Sequence, residues 1–181
     1  MDRLADDALV LEPLQAGHAE AMYRILCDAE LHRYLDERPP ASLDALRKRY
    51  EYLERRTSPD GSQHWLNWIV IPAGGAPIGF VQATVEATTA SIAYTLARHE
   101  WGRGHATRAC RLMLENLVAR YGVQRFTAVA EVENTRSIRL LERLGFAPAA
   151  EPGSITLTPT ERLFVRLAEK TARASDRRHA D

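Results

Sequence analysis

Apolar positions change their spacing along this chain, and the changes divide it into elements. From about Gly104 to Tyr121, the residues Ala106, Ala109, Cys110, Met113, Leu114, Leu117 and Val118 recur with a period near 3.6. That is the stripe of an amphipathic helix, and Gly122 ends it. A second helical stripe runs from Gly17 to about Glu30, with apolar residues at 19, 22, 23, 25 and 26. Pro39-Pro40 break the chain, and Ser42 then caps a helix with Ala45, Leu46, Tyr50 and Leu53 on its apolar side, ending near Thr57. Asn134 or Thr135 opens another helix, containing Ile138, Leu141 and Leu144 and stopping at Gly145.

Strand-like runs fill the intervals. Leu9 to Leu14 is a short strand ended near a proline. Trp65–Ile71, Ile78–Val85 and Ser91–Leu96 follow, separated by Pro72–Pro77 and Glu86–Thr89, both turn-forming. Phe126–Ala130, Ser154–Thr158 and Leu163–Leu167 read as later strands, with Phe146 opening a strand or turn. Successive strands on short turns imply antiparallel pairing. The predicted fold class is therefore mixed α/β, a mostly antiparallel sheet flanked by helices. With 181 residues the chain reads as one domain over 1–170. Residues 171–181 carry almost no apolar content and read as a disordered tail.

Composition narrows the picture. Apolar content is 45% and charged content 27%, ordinary for a globular protein. No apolar run is long enough to span a membrane, and the acidic N-terminus has no signal core, so a cytoplasmic protein is expected. Cys27 and Cys110 lie in apolar helical segments and read as buried thiols. No two of the six histidines have ligand spacing, so no metal site is expected. Net charge is zero but uneven. Residues 1–60 hold 13 acids and 9 bases, whereas residues 98–181 hold 15 bases and 10 acids. The basic half suits an anionic ligand and the acidic half an amine-bearing one. Neither bias is concentrated enough for a nucleic-acid binder.

The stretch Trp101-Gly102-Arg103-Gly104-His105-Ala106-Thr107 joins the last of the clustered strands to the longest helix. Two glycines there let the backbone turn tightly and aim N–H groups outward, and a helix N-terminus favours phosphate. The Gly-x-Gly-x-x-Gly of a dinucleotide fold and the Gly-Lys-Ser/Thr of a nucleotide loop are both absent.

This loop, together with Ile92–Leu96 and with Asn134-Thr135-Arg136-Ser137-Ile138-Arg139-Leu140-Leu141-Glu142-Arg143-Leu144-Gly145-Phe146, resembles the core of the GNAT acyl-CoA N-acyltransferases. The RimJ/RimL-like branch is the nearest in pattern, and the likeness spans about residues 8–168. It implies transfer of an acetyl group from acetyl-CoA to a primary amine, in a direct ternary complex. The acceptor is then a protein or peptide N-terminus or a small-molecule amine. The other reading is a non-catalytic acyl-CoA-binding or regulatory protein on the same fold. Homodimers are common in that branch, although the sequence itself does not set the oligomeric state.

The resemblance also implies roles. Trp101 to Thr107 form the pyrophosphate loop, with backbone N–H groups of Gly102, Arg103, Gly104, His105 and Ala106 on the phosphates and the Thr107 hydroxyl beside them. Leu96 and Ala97 pair through their backbone with the pantetheine arm, and Asn134 binds that arm or orders the cleft. Ser137 lies near the thiol. Many family members carry a tyrosine that protonates the departing thiolate; the matching residue is Leu141, so that acid is missing. On chemical grounds a backbone N–H around Leu96 is the natural donor to the carbonyl oxygen, and Glu131 is the favoured carboxylate for general base. Tyr34, His64, Trp65 and Tyr94 are the candidates for acceptor contacts, from a pocket of N-terminal helices, the loop near Pro39, and Gln63–Trp68.

Overall fold

A computed structural model describes residues 1–34, 38–151 and 155–169. Its strands are β1 (Leu4–Ala5), β2 (Leu9–Pro13), β3 (Gln63–Pro72), β4 (Gly79–Glu86), β5 (Thr89–Leu96), β6 (Arg125–Glu131), β7 (Ala147–Pro148) and β8 (Glu161–Leu167). They form one sheet in the order β1-β2-β3-β4-β5-β6-β8-β7. Every neighbouring pair is antiparallel except β5 and β6, which are parallel. The helices are α1 (Ala19–Leu26), α2 (Leu43–Leu53), α3 (His105–Tyr121) and α4 (Thr135–Arg143).

Strand alternation sends side chains to two faces, and each face has its own core. Ala109, Cys110, Met113, Leu114 and Leu117 of α3 pack against Leu66, Trp68, Val70, Val81, Ile92 and Phe126 on one face. On the other, Ala19, Met22 and Leu26 of α1 and Leu46 and Tyr50 of α2 cover Leu14 and Ile69. The mixed α/β prediction holds.

Several boundaries moved. The first helical stripe holds as α-helix only to Leu26, and Ala29–His32 form a separate 3-10 turn whose Glu30 N–H is accepted by Asp28. Ser42 caps α2 as expected, accepting from Ala45 N–H, but α2 ends at Leu53, before Arg56 turns into the left-handed region at φ 61°. Residues 155–158 form no strand, and Ser154 lies outside the described residues, as does 171–181. The two-residue strands β1 and β7 are too short to leave a period. Cys110 is buried, and burial pushes its thiol up, whereas Cys27 is exposed because α1 ends just before it.

Two features position the site. β5 and β6 pair only over Thr89–Ser91 and Arg125–Thr127 and then diverge. At Gly79 the backbone of β4 runs so close to β5 that an added Cβ would sit 2.2 Å from Thr95 O and 2.7 Å from Leu96 Cα.

Candidate active site

The divergence of β5 from β6 opens a cavity of about 310 Å³. Its walls are Ile92–Leu96 of β5, Ala128–Ala130 of β6, the start of α4, Trp101 and Ala106, and the turn residues Glu30, Leu31, Arg33 and Tyr34. Ala97 N–H is spent on Ile78 O at 2.8 Å. In an antiparallel pair the backbone groups alternate in direction, so Thr95 also faces β4 while Tyr94 and Leu96 face the opening. Leu96 O accepts the Trp101 indole N–H at 2.8 Å. Leu96 N–H therefore faces the cleft with no strand opposite it. Ala97 departs from the role implied for it: its N–H is used, and its carbonyl accepts Glu100 N–H at 3.0 Å. The N–H is therefore not left for a ligand arm, and the carbonyl keeps one lone pair.

The glycine loop sits where β5 hands over to α3. Gly102 and Gly104 adopt φ of 79° and 83°, the left-handed region that glycine enters without a Cβ penalty. Gly104 is the N-cap of α3 and has no side chain with which to cap it, and no acidic residue lies in the first turn. The first intrahelical bond is Arg108 N–H to Gly104 O at 3.1 Å. The N–H groups of His105, Ala106 and Thr107 are thus left pointing outward at the positive end of a helix, an arrangement that holds anions.

The charged side chains here are arranged differently from expectation. Arg103 Nη1 and His105 Nε2 both lie near Glu100 Oε2, at 3.6 and 3.4 Å. Arg108 reaches back to Asp6 and Asp7 at 3.1 and 3.0 Å and ties the N-terminus to α3. Among the described residues two cations line the cavity, Arg33 and Arg136, and Arg136 is stacked 3.7 Å over the Trp101 ring. Its number lies between two predicted site residues, but the sequence gives no sign of which side of α4 it takes.

On the far wall, Asn134 caps α4 by accepting Ser137 N–H at 3.1 Å. That bond fixes the start of α4, where both residues line the cavity. Ser137 Oγ lies 2.8 Å from the Tyr94 hydroxyl, which also donates to Ser137 O at 3.3 Å. Burial pushes the Tyr94 phenol up, outweighing the opposing pull of Ser137, so it keeps its proton. Tyr94 thus bridges the diverging strands from β5 to α4, and buried Leu141 lies a turn beyond Ser137 in the same wall.

The remaining predicted residues divide. Tyr34 lines the cavity. Glu131 stands at the end of β6, opposite Glu161 of β8, and is not on the cavity wall. The carboxylate among the described wall residues is Glu30, placed there by the 3-10 turn that the helical stripe concealed. Trp65 packs on Tyr52 of α2 with ring centroids 5.6 Å apart, away from the cavity. His64 alternates to the other face and meets Tyr121 of α3 edge-on at 5.6 Å, so it is remote from the site. Among the described residues no cluster of metal-ligating side chains occurs. No helix described is long and apolar enough to cross a membrane.

Residues 8–147 match the acetyltransferase (GNAT) domain, and the chain belongs to that family. An N-acetyltransferase of Bacillus licheniformis, called p20 and itself uncharacterised, is 26% identical over 81% of this chain and 83% of its own. Among solved structures, a RimL ribosomal L7/L12 α-N-protein acetyltransferase in complex with coenzyme A superposes with TM-score 0.76 at 18% identity, over 92% of this chain and 98% of that one. A Vibrio cholerae spermidine N-acetyltransferase with coenzyme A and spermine gives TM-score 0.72 at 19% identity, over 90% and 96%. At these identities the likeness is one of fold.

Proposed function

We propose that the protein transfers an acetyl group from acetyl-CoA directly to a primary amine. The observation that carries this reading is the divergence of β5 from β6 into a cavity that ends at the uncapped N-terminus of α3. A ligand with an amide-bearing arm and a pyrophosphate matches both parts: strand-edge groups for the arm, and outward N–H groups for the phosphates.

In this reading the loop residues Gly102–Thr107 hold the pyrophosphate through backbone N–H groups, and Arg136 adds positive charge beside them. Leu96 N–H donates to the thioester carbonyl oxygen as negative charge gathers there. The amine nitrogen bonds to the carbonyl carbon and the carbon–sulfur bond breaks. Ser137 passes its hydroxyl proton to the departing sulfur and is reprotonated by Tyr94, whose phenol recovers a proton from water. This pair takes the place of the tyrosine absent at Leu141. The proton released by the amine leaves through water, with Glu30 the nearest carboxylate on the wall. No covalent enzyme intermediate is needed, and Cys110 is buried away from the chemistry.

Calorimetric titration with acetyl-CoA should show one binding site. Mass spectrometry of a pooled amine and peptide library, incubated with acetyl-CoA, should show products heavier by one acetyl group. A folded protein that binds no acetyl-CoA overturns the proposal. Binding without any product across the library assigns the chain to the non-catalytic reading instead.

A further inference from the structure

A second cavity, of about 170 Å³, lies under α1 and α2 on the opposite face of the sheet. Its roof is apolar, from Leu26, Leu46 and Leu53, with Leu14 and Phe80 at its sides. Its floor is polar. Asn67 and Gln82 stand directly opposite each other on β3 and β4. Thr95 stands two residues along β5 from Ala93, the partner of Gln82. Asn67 is 7% exposed and Thr95 9%. Yet among the described residues the side-chain polar atoms of Asn67, Gln82 and Thr95 have no hydrogen-bond partner. Their polar atoms are not sealed in the core but open onto the cavity. A row of such groups on the floor of an apolar cavity is matched by a ligand that brings its own amide.

This cavity borders the first one. Thr95 lines both. The 3-10 turn also serves both, with Leu31 on the first and His32 on the second. An acceptor approaching the reactive end of the cleft from the helix side would put its body here. The size is selective: an apolar cavity of about 150 Å³ holds one benzene ring, so this one takes a single ring or one branched aliphatic group. Its charge is selective as well. The ionisable residues on its described walls are His32, Arg38, Arg49 and Tyr50, with no carboxylate among them. Among the described wall residues a polyamine chain would find no counter-charge.

Resting on the acetyltransferase reading, we infer that the second cavity selects a primary amine that carries one compact, uncharged apolar group beside a neutral carboxamide. Leu46 and its neighbours take the apolar group, and Asn67, Gln82 and Thr95 take the amide. Amino-acid amides with an aromatic or branched side chain have this chemistry.

The test is steady-state kinetics at saturating acetyl-CoA with leucinamide, phenylalaninamide, isoamylamine, lysinamide and spermidine. Both apolar amides should exceed isoamylamine, lysinamide and spermidine by about tenfold or more in kcat/KM, the equivalent of one well-made hydrogen bond to a buried group. N67A should remove the preference for leucinamide over isoamylamine, mainly through KM. A45F, a change at an exposed position of α2 that borders the cavity, should exclude phenylalaninamide more than leucinamide. Both variants should keep the acetyl-CoA dissociation constant of the parent, which shows that they are folded. A preference for spermidine, or unchanged selectivity in both variants, overturns the inference while leaving the acetyltransferase reading intact. Loss of acetyl-CoA binding by the parent protein would overturn both.

Discussion

The two cavities that share Thr95 as a wall residue are built on different principles. The first is made largely from backbone: the unpaired edge of β5, the divergence from β6, and the N-terminal N–H groups of α3. The second is made from side chains of β3, β4, β5, α1 and α2. Backbone sites need special backbone geometry, and that demand leaves glycines at fixed spacing. Side-chain sites need only that distant positions converge. The first is therefore written as a local motif and the second is not.

The largest effect should come from the residue that holds the two cavities in register. A side chain at Gly79 would collide with Thr95 O and Leu96 Cα, both backbone atoms that cannot swing aside. G79V should destabilise by about 3 kcal/mol or more, lowering Tm by about 10 °C, and should damage both cavities together. Thermal denaturation checks it. A G79V protein of unchanged Tm would mean that β4 and β5 separate easily and that the cavities are independent.

Much of the fold follows the same division. The helix of Ala106 to Val118 was plain because many apolar residues kept one period, and Ser42 marked the start of α2 through a hydroxyl that caps it. Gly102, Gly104 and Asn134 were legible because each does a job that few residues can do. The end of α1 was not, since its apolar stripe continues through a turn that only its backbone bonds distinguish. Glu30 was missed for that reason. The contact between Tyr94 and Ser137 was hidden too, because the two residues are 43 positions apart and meet only across the opening between β5 and β6. His64 and Trp65 drew attention as polar and aromatic residues, but strand alternation sent one to each face, and each found a structural partner.

The next effect sharpens the chemistry of the first cavity. If Ser137 passes a proton to the departing sulfur, S137A should lower kcat by about 10²-fold, the lower range for loss of general acid catalysis, with acetyl-CoA affinity unchanged. Y94F leaves the serine in place without its 2.8 Å partner and should lower kcat by about tenfold. KM should hold in both. An S137A enzyme with full kcat would assign protonation of the sulfur to solvent. A loss in KM instead would make the pair part of acceptor binding.

G104A separates geometry from sterics. A Cβ at Gly104 would meet nothing within 4 Å, so the cost is conformational, from φ 83°. That cost is about 1–2 kcal/mol. Acetyl-CoA affinity should fall by about tenfold as the loop relaxes, measured by calorimetry, while N67A leaves it alone. Equal affinity losses in G104A and N67A would erase the distinction between a donor-side and an acceptor-side cavity.

The smallest effect lies outside both cavities and sets a baseline for them. Arg108 stands at the head of α3 beside the glycine loop, yet its guanidinium is committed to Asp6 and Asp7. Partial burial pushes the Asp6 carboxyl up, but N–H groups of Ala8 and Leu9 and the charge of Arg108 outweigh it, leaving Asp6 below its usual value. A carboxyl lowered in the folded state adds stability that is full above its unfolded pKa and fades as pH falls toward the folded one. These groups are substantially exposed, so R108A should cost only about 0–1 kcal/mol at neutral pH. The difference between R108A and parent should shrink on acidification below about pH 4. Because Arg108 is already paired away from the loop, acetyl-CoA affinity should stay within about twofold. A larger loss of affinity, growing as salt is reduced, would show that Arg108 leaves its aspartates to meet the phosphates, and that the first cavity relies on side-chain charge as well as backbone.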